Sequence, residues 1–494
     1  MTAINTNIGA IQAQSNMGRV SEEYNQAMTR LSSGKRINAA KDDAAGMAIG
    51  EKMTAQIRGL NQAVRNATDA KSLVDTTEGA HVEVSNMLQR MRELSVQSAN
   101  DTNTAADRNN IMAEANQLIT EVNRVAETTT FNGMNILDGS FTGKQFQIGA
   151  DSGQSLNVNV DSAAATDIGA HTFKTDVQIT AAGTPTDSNI NSTATTYTVS
   201  GSEGAEDLTV DAGASARDLA EEINGVTAAT GVEATATTKA GLSLSAADTI
   251  SFSLGNENGE QVSIGDVVVT DASDLRSVRD AVNAVSGRTG ISATMGDTNA
   301  EVILTDQNGD DIGIENFTSG GTDKTLTVET LQADGSAKAA GSTSTAVDDG
   351  NTAAYVTGQV EMTSTKAFVV TADNNTARET FVQTDGSSEL ETVADIDLST
   401  AQGAADAIKV LDSALQKISQ SRSDLGAVSN RLDSTISNLT NISTNVEAAR
   451  SGIMDADFAK ESTDLARGQI LQQAATSMLA QANSSQQNVL SLIR

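Results

Sequence analysis

The segment LSSGKRINAAKDDAAG, residues 31–46, concentrates residue types that can do chemistry. Its Gly34-Lys35 pair resembles the end of a phosphate-binding loop, in which a glycine stands five positions earlier and a serine or threonine follows the lysine. Here Thr29 and Arg36 occupy those two positions, and no hydrophobic strand precedes the segment. The sequence therefore argues against a phosphate-binding loop.

The Lys41-Asp42-Asp43 cluster of the same segment has two interpretations. Paired carboxylates can act as general acid and base. Aspartates in the first turn of a helix instead accept hydrogen bonds from free amides and interact favourably with the helix dipole. The run AAGMAIGEKM that follows is helical in pattern, which favours the second interpretation. We predict that Gly34 ends one helix and that Asp42 and Asp43 favour the start of the next.

The acidic segment DQNGDDIGIE, residues 306–315, resembles a calcium-binding loop. Such a loop needs glycine at its sixth position and glutamate at its twelfth, where this chain has Asp311 and Phe317. The segment NENGE at 256–260 is similar, and both lie beside alternating strand patterns. We predict hairpin turns at both places.

The remaining residues offer little for catalysis. The two histidines, His81 and His171, belong to no HExxH pattern. The absence of cysteine excludes disulfides, thiolate metal sites and cysteine nucleophiles. The sequence contains no nucleophile elbow either. We therefore predict no catalytic, metal or cofactor site and no enzymatic activity.

Composition and charge divide the 494-residue chain into ends and a middle. Aromatic residues are scarce, with no Trp, three Tyr and nine Phe, which favours helix seams and Val/Thr-rich sheets over an aromatic core. The net charge of −32 splits into −4 for 1–174, −27 for 175–400 and −1 for 401–494. Such a charge argues against a nucleic-acid partner. The nearly neutral ends can approach other chains while the acidic middle stays solvated.

The start of the chain carries no sign of a cleaved secretory signal, because its first basic residue is Arg19 and no apolar run precedes it. No apolar stretch approaches the roughly 18–20 residues that a membrane span needs. We predict a chain that is either cytoplasmic or exported by a route without signal cleavage, and that has no membrane partner.

Apolar residues recur at steps of three and four near both ends, in narrow seams like those of coiled coils. The seams comprise Ile4, Ile8 and Ile11; Met53, Ile57, Leu60, Val64 and Ala67; Ala80, Val84, Met87, Met91 and Leu94; Ile408, Leu411, Leu415 and Ile418; and Leu432, Ile436, Leu439, Ile442 and Val446. A narrow stripe cannot bury itself, so each helix needs partners, either in one bundle or in neighbouring subunits. The pattern alone leaves both open.

From Phe131 onward the helical period stops and strand alternation with Asn-Gly and Asp-Gly turn signals begins. Residues 217–235 align without gaps to residues 276–294, at an offset of 59. Each copy contains one apolar face of a short helix, followed by a Thr-Gly stop and a strand. We predict two tandem α+β modules in the middle of the chain.

The sequence motifs of both ends resemble bacterial flagellin. At the N-terminal end these are MTAINTNIGAIQAQ, TRLSSGKRINAAKDDAAGMAIGEKM, LQRMRELSVQSANDTN and FNGMNILDG. At the C-terminal end they are LGAVSNRLDSTISNLTNIS, ARSGIMDADFA, QILQQAATSMLAQAN and NVLSLIR. The resemblance covers about 1–150 and 403–494. The middle does not match by motif, although its tandem modules resemble inserts of larger flagellins.

The resemblance implies an α+β fold. Long coiled-coil-like helices from both termini would form a discontinuous helical core, with the β-rich modules inserted in the middle. The implied domains are an innermost one of 1–42 plus 454–494, disordered in the monomer, and a helical core of 43–175 plus 403–453 with a hairpin region near 131–175. A variable, surface-exposed outer region of 176–402 would hold modules at about 205–264 and 265–320.

The resemblance also implies a function and partners. The chain would polymerise helically with copies of itself into the extracellular flagellar filament, for motility. Its partners would be a flagellin export chaperone, the flagellar type III export apparatus, the filament cap and the hook–filament junction proteins. A hook–filament junction protein with flagellin-like ends is the alternative. A protease insert is disfavoured by the missing HExxH, and an adhesive role of the middle stays open.

Two sets of residues follow from the family motifs. The set implied to bind Toll-like receptor 5 is Gln89, Arg90, Leu94, Gln97, Ile111 and Glu114. The set implied in self-assembly is Ile4, Ile8, Ile11, Leu31, Gly34, Asp42, Asp43, Val489, Leu490, Leu492 and Ile493. The first set is also expected to pack on neighbouring subunits. The terminal apolar residues are too few to hold their helices in a free monomer, so we expect these helices to order on assembly.

Overall fold

The structure is a computed structural model of the chain. It describes residues 6–177, 179–182, 194–256, 261–296, 298–321, 325–335, 344–348, 353–373, 381 and 386–492. Of the residues discussed above, Ile4, Ile493 and residues 257–260 lie outside this description. Within the described residues, no helix combines the length and apolar character that crossing a bilayer requires.

In the part of the chain that the structure describes, four long helices and one of intermediate length form the helical part, and four short helices lie in the middle. The helices are α1 (Ile8–Ser33), α2 (Ala44–Ser98), α3 (Ala105–Thr128), α4 (Ala216–Gly225), α5 (Thr227–Thr230), α6 (Arg276–Asn283), α7 (Ser286–Thr289), α8 (Ala401–Met454) and α9 (Phe458–Leu492). A single 3-10 turn, Val393–Asp395, precedes α8. The α+β class and the long terminal helices predicted from sequence are confirmed.

The predicted seams of α2 and α8 consist of buried and half-buried residues. In α2, Ile57, Leu60 and Ala67 are buried, as are Val84 and Met91. In α8 the buried seam has a strict seven-residue repeat, Leu411, Ile418, Leu425, Leu432 and Leu439. This heptad spacing is the signature of coiled-coil packing. Leu425 is its central member, and sequence reasoning missed it by treating the two halves of the helix separately.

The strands, in chain order, are β1 (Thr130–Phe131), β2 (Met134–Asn135), β3 (Lys144–Gln147), β4 (Ser155–Val158), β5 (Gly169–Lys174), β6 (Ile179–Ala182), β7 (Thr195–Ser200), β8 (Ala205–Val210), β9 (Glu233–Leu244), β10 (Asp248–Asn256), β11 (Val262–Val269), β12 (Ser292–Met295), β13 (Val302–Asp306), β14 (Ile312–Ser319), β15 (Leu326–Leu331), β16 (Ser344–Val347), β17 (Ala353–Val356), β18 (Gln359–Ser364), β19 (Val369–Ala372), β20 (Gly386–Ser387) and β21 (Glu389–Thr392).

All the described strand pairs are antiparallel, and they form three larger sheets and two hairpins. The five-stranded sheet has the order β11-β10-β14-β17-β6, and the four-stranded sheet has the order β20-β19-β7-β8. The eight-stranded sheet follows β12-β13-β9-β18-β5-β21, with β15 and β16 joined to it through β9. The β1–β2 and β3–β4 hairpins lie in the region 131–175 where turn signals predicted strands.

Of the two predicted hairpin turns, the one at 306–315 is wrong, and the one at 256–260 stays a prediction because residues 257–260 lie outside the described part of the chain. Strands β10 and β11, which lie on either side of residues 257–260, pair directly. The segment 306–315 does not join two paired strands, because β13 pairs with β9 and β12 whereas β14 pairs with β10 and β17. This segment crosses from one sheet to another, and an Asn-Gly signal cannot distinguish such a crossing from a hairpin.

The internal repeat predicted from sequence has the same local structure in both copies. Helices α4 and α5 lead into β9, and helices α6 and α7 lead into β12. Each short second helix ends at a glycine in the left-handed region, Gly231 with φ 73° and Gly290 with φ 75°. Asn224 and Asn283 each exchange two hydrogen bonds of 2.8–2.9 Å with the backbone of the following strand. The copies thus share side-chain contacts as well as sequence.

The chain divides into two compact units. One comprises Met1–Thr76, Thr142–Asn159 and Asp424–Arg494, and the other comprises Thr77–Phe141 and Val160–Ser423. The three-domain division implied by the family resemblance has other boundaries and stays a prediction. The core of the second unit lies mainly in two clusters, one around Phe252 and Phe317 and the other around Tyr197 and Phe368.

Candidate functional site

The connector, residues 34–43, joins α1 to α2 and is fixed to the break between α8 and α9. Gly34 ends α1 with φ 70°, in the left-handed region that favours glycine. The backbone N–H of Arg36 donates to the carbonyl of Met454 at 2.7 Å, and that of Ala456 donates to the carbonyl of Gly34 at 3.0 Å. Ile37, also in the connector, is buried. Hydrogen bonds therefore hold the connector between α1 and α2 against the break between α8 and α9.

The two aspartates of the connector have different roles. Asp43 caps α2, because its Oδ1 accepts a hydrogen bond from the N–H of Gly46 at 2.9 Å. Asp42 does not cap the helix as predicted. Its Oδ2 accepts from the N–H groups of Asn38 and Ala39 at 3.0 and 2.9 Å, which closes a turn within the connector. These backbone hydrogen bonds, from Ala39 first, lower the pKa of Asp42.

The terminal helices α1 and α9 pack antiparallel with few buried side chains. Asn7 Nδ2 donates to the carbonyl of Ala482 at 3.3 Å, near one end of the pair. Arg30 lies 3.4 Å from Glu461 at the other end. Ala27 is the fully buried residue of α1 within the described range. This pairing removes little apolar surface from water.

Large apolar side chains remain exposed along both terminal helices. They are Ile8, Ile11 and Met28 of α1 and Phe458, Ile470, Leu471 and Met478 of α9. Phe458 is 71 % exposed and Ile470 is 67 % exposed. These side chains are distributed along a helix pair that buries few of its other residues, which makes the pair a candidate contact surface. We refer to these seven residues as the terminal apolar surface.

The structure places the predicted assembly residues unevenly. Ile8 and Ile11 belong to the terminal apolar surface, Leu31 is half-buried near the end of α1, and Gly34, Asp42 and Asp43 lie in the connector. Val489, Leu490 and Leu492 belong to the last turns of α9. The role of all these residues in assembly stays a prediction.

The implied receptor residues lie on α2 and α3, but only some of them reach the surface. Gln89, Arg90, Gln97 and Glu114 are exposed. Leu94 and Ile111 are buried, with 1 % and 8 % of their surface exposed. Leu94 lies four residues after the exposed Arg90, so helical spacing places the two on one face. Leu94 also lies three residues after Met91 of the buried seam, and its burial shows that it belongs to that seam.

Arg90 joins α2 to α3. Its guanidinium donates to Glu114 Oε1 from Nε at 3.0 Å and from Nη2 at 2.8 Å, and to Glu93 at 2.9 Å. These hydrogen bonds, the one to Glu93 first, raise the pKa of Arg90. Arg90 and Glu114 are each about half exposed, so the pair is a polar surface cluster of defined geometry.

Family models match both ends of the chain. The model described as the bacterial flagellin N-terminal helical region matches residues 4–142, and the model of the C-terminal helical region matches residues 408–493. The B-type flagellin of Pseudomonas aeruginosa is 37 % identical over 492 residues, which cover 99 % of each chain. The chain belongs to the bacterial flagellin family. The polar flagellin C of Vibrio parahaemolyticus is similar too, with 34 % identity and 99 % of each chain covered.

A third family model matches the middle of this flagellin. It is described as the flagellin hook IN motif and covers residues 189–248, which include α4, α5 and the first copy of the repeat. The expectation that no family motif occurs in the middle is therefore wrong. Among solved structures, FliC from Burkholderia pseudomallei is 20 % identical, with a TM-score of 0.29, over 73 % of this chain and 99 % of that chain.

The sequence analysis did not predict two local features of this flagellin, at the start of α3 and in the turn before it. Thr104 and Asp107 form a capping box at the start of α3, a signal readable as Thr-x-x-Asp before a helical run. Arg108 then donates to the carbonyl of Ser98 at 2.9 Å, which fixes the turn between α2 and α3. Within the described residues, no group of three or more His, Asp or Glu side chains is arranged to hold a metal ion.

Proposed function

We propose that this flagellin is the repeating structural subunit of an extracellular bacterial flagellar filament, with no enzymatic role. It would leave the cell through the flagellar type III apparatus without signal cleavage, held beforehand by an export chaperone. It would assemble between the hook–filament junction and the filament cap. The observation that carries this proposal, beside the family membership, is the terminal apolar surface.

The terminal apolar surface supports an open polymer. The described part of the chain supplies no partner that covers these seven side chains, and the ends are nearly neutral in charge. Copies of the chain can therefore approach each other through their ends. If one copy's terminal helices pack on a different face of the next copy, the contact does not close on itself and generates a helical filament.

Seeded polymerisation tests this function. Purified protein is mixed with filament fragments, and the length of the products is measured by electron microscopy against protein concentration. Ile470→Ser should raise the concentration needed for growth about tenfold or more, because burying a side chain of this size contributes roughly 1.5–3 kcal/mol. The neighbouring exposed Gln469→Ser is the matched control and should polymerise like the unchanged chain.

The same experiment separates the subunit from a hook–filament junction protein. A filament subunit adds repeatedly to a seed and yields long filaments. A junction protein would add once or a few times and stop. Short caps on the seeds, with no growth at high concentration, would contradict the proposed function.

We further propose that Toll-like receptor 5 binds the surface around Arg90, with Gln89, Gln97 and Glu114 in contact with the receptor. The Arg90–Glu114 pair supports this assignment because it offers a fixed arrangement of charge on an exposed face. Leu94 and Ile111 would act by holding α2 and α3 in place, since both are buried.

A receptor reporter assay tests this second proposal. Arg90→Ala should reduce signalling strongly while the helix content stays unchanged. Arg124→Ala is a control, because Arg124 is another exposed arginine with a Glu partner, Glu121, on α3. Full signalling by Arg90→Ala would contradict the assignment.

A further inference from the structure

His81 lies in the middle of α2 with none of its surface exposed. Neither ring nitrogen has a hydrogen-bond partner among the described residues. A neutral imidazole leaves one N–H donor unsatisfied in such a place, whereas the protonated ring leaves two donors and a charge. The site therefore tolerates the neutral ring much better than the cation.

The charged groups around His81 come from three segments. Glu78 precedes it by three residues on α2, Arg422 lies on α8, and Asp161 belongs to the segment after β4; all three interact electrostatically with the ring. Burial is the main effect and lowers the pKa of His81, while Glu78 opposes this lowering and Arg422 adds to it.

Glu78 and Arg422 form an ion pair between α2 and α8. Glu78 Oε1 accepts a hydrogen bond from Arg422 Nε at 2.9 Å, and Nη2 of the same guanidinium lies 2.8 Å from it. The other carboxylate oxygen, Glu78 Oε2, is buried without a partner among the described residues. Residues three apart on a helix share a face, so the Glu78 carboxylate and the His81 ring lie on the same side of α2.

We propose that His81 is a proton-operated switch for the packing of α2 against α8 in the unit that contains Thr77–Phe141 and Val160–Ser423. In the neutral form, His81 completes the apolar seam beside Val84. When it takes up a second proton, the cation attracts Glu78, repels Arg422 and weakens the ion pair between the two helices. Mild acid therefore loosens this part of the core. This inference does not depend on the proposed function.

The direction of the pH effect follows from linkage. The unfolded chain binds this proton with a pKa of about 6.5, and the folded chain binds it only at lower pH. Between those two values the unfolded state holds more protons, so the stability of the folded state falls as the pH falls. Above about pH 6.5 the residue contributes no pH dependence.

Histidine NMR gives the test, because the full chain has two histidines and thus two ring signals. His81→Gln assigns the signals by removing one of them. The His81 signal should titrate below pH 6.5 in the intact chain. Amide hydrogen exchange at 77–98 and 401–423, corrected for its intrinsic pH dependence, should accelerate about tenfold between pH 7 and 5, because the unfolded state binds the proton before the folded state does.

Variants separate the switch from general acid sensitivity. His81→Gln should abolish the acceleration, and His171→Gln should retain it. Glu78→Gln should move the His81 midpoint further down, because it removes the carboxylate that favours the cation. If His81→Gln does not fold, His81→Leu replaces it, and the titration of the unchanged chain still decides. A His81 midpoint at or above 6.5, or undiminished acid loosening in the folded variant, would overturn the proposal.

Discussion

The terminal helices and the β-rich middle differ in how much of their apolar surface they bury. In α1, Ala27 is the fully buried residue, and α1 and α9 together expose the seven side chains of the terminal apolar surface. In the middle, the short helix α4 buries four of its ten residues, and Phe252 and Phe317 are almost completely covered. The middle of the chain buries a core of its own. The α1–α9 pair instead exposes large apolar side chains that another copy of the chain can cover.

This difference indicates that the two regions have different roles in one subunit: the middle folds by itself, and the terminal helices make contacts with other copies. A segment whose core is complete keeps its fold whether or not the subunit is assembled. Helices that bury little of their surface gain most of their stability from packing, which a neighbouring copy can supply. The charge distribution agrees, because the middle carries −27 of the net −32 and the ends are nearly neutral.

The largest effect that tests the comparison comes from the core of the middle. Phe317→Ala should lower the free energy of unfolding of the middle by about 3–5 kcal/mol, because it removes a fully buried ring and leaves a cavity. Hydrogen exchange of β10 and β14 should report the loss. The exchange of α1 and α9 should not change, and a parallel change there would contradict the independence of the two regions.

An intermediate effect is expected at the end of α1. A Cβ at Gly34 meets no atom within 4 Å, so Gly34→Ala tests the backbone conformation alone. Its φ of 70° should cost roughly 1–2 kcal/mol with alanine. Gly18→Ala, also in open space but inside α1, should instead stabilise the helix by up to about 1 kcal/mol.

Thermal melting of the assembled protein measures both effects. A lower melting temperature for Gly34→Ala and a higher one for Gly18→Ala would support the connector geometry. Equal effects of Gly34→Ala and Gly18→Ala would show that α1 does not end at Gly34 in a left-handed conformation.

The smallest effect concerns the terminal apolar surface in the free subunit. Ile470→Ala should change the stability of the monomer by less than about 0.5 kcal/mol, because the side chain is 67 % exposed there. Denaturant unfolding of the monomer measures this. A loss of more than about 1 kcal/mol would mean that α9 buries this side chain before assembly, against the comparison.

The sequence predicted the features that depend on local spacing. The seams of α2 and α8, the helix end at Gly34 and the tandem repeat all follow from residues close together in the chain, and the structure confirms them. The pairing of β9 with β13, β15 and β18 could not be predicted, because it joins segments far apart in sequence. The crossing at 306–315 was misread for the same reason.

The candidate sites were predictable only in part. Spacing placed Arg90 and Leu94 on one helix face, but Leu94 is buried, and spacing within α2 does not reveal what covers it. Likewise, two adjacent aspartates look equivalent in sequence. Only the turn formed by Asn38 and Ala39 shows that Asp42 serves the connector and Asp43 serves the helix.

Hydrogen exchange of monomer and filament, compared side by side, tests the central claim most directly. The account predicts that amides of α1 and α9 exchange nearly without protection in the monomer and become protected in the filament. The strands β9, β10 and β14 should be protected equally in both. Strong protection of α1 and α9 in the free monomer would contradict the claim that the terminal helices depend on neighbouring subunits.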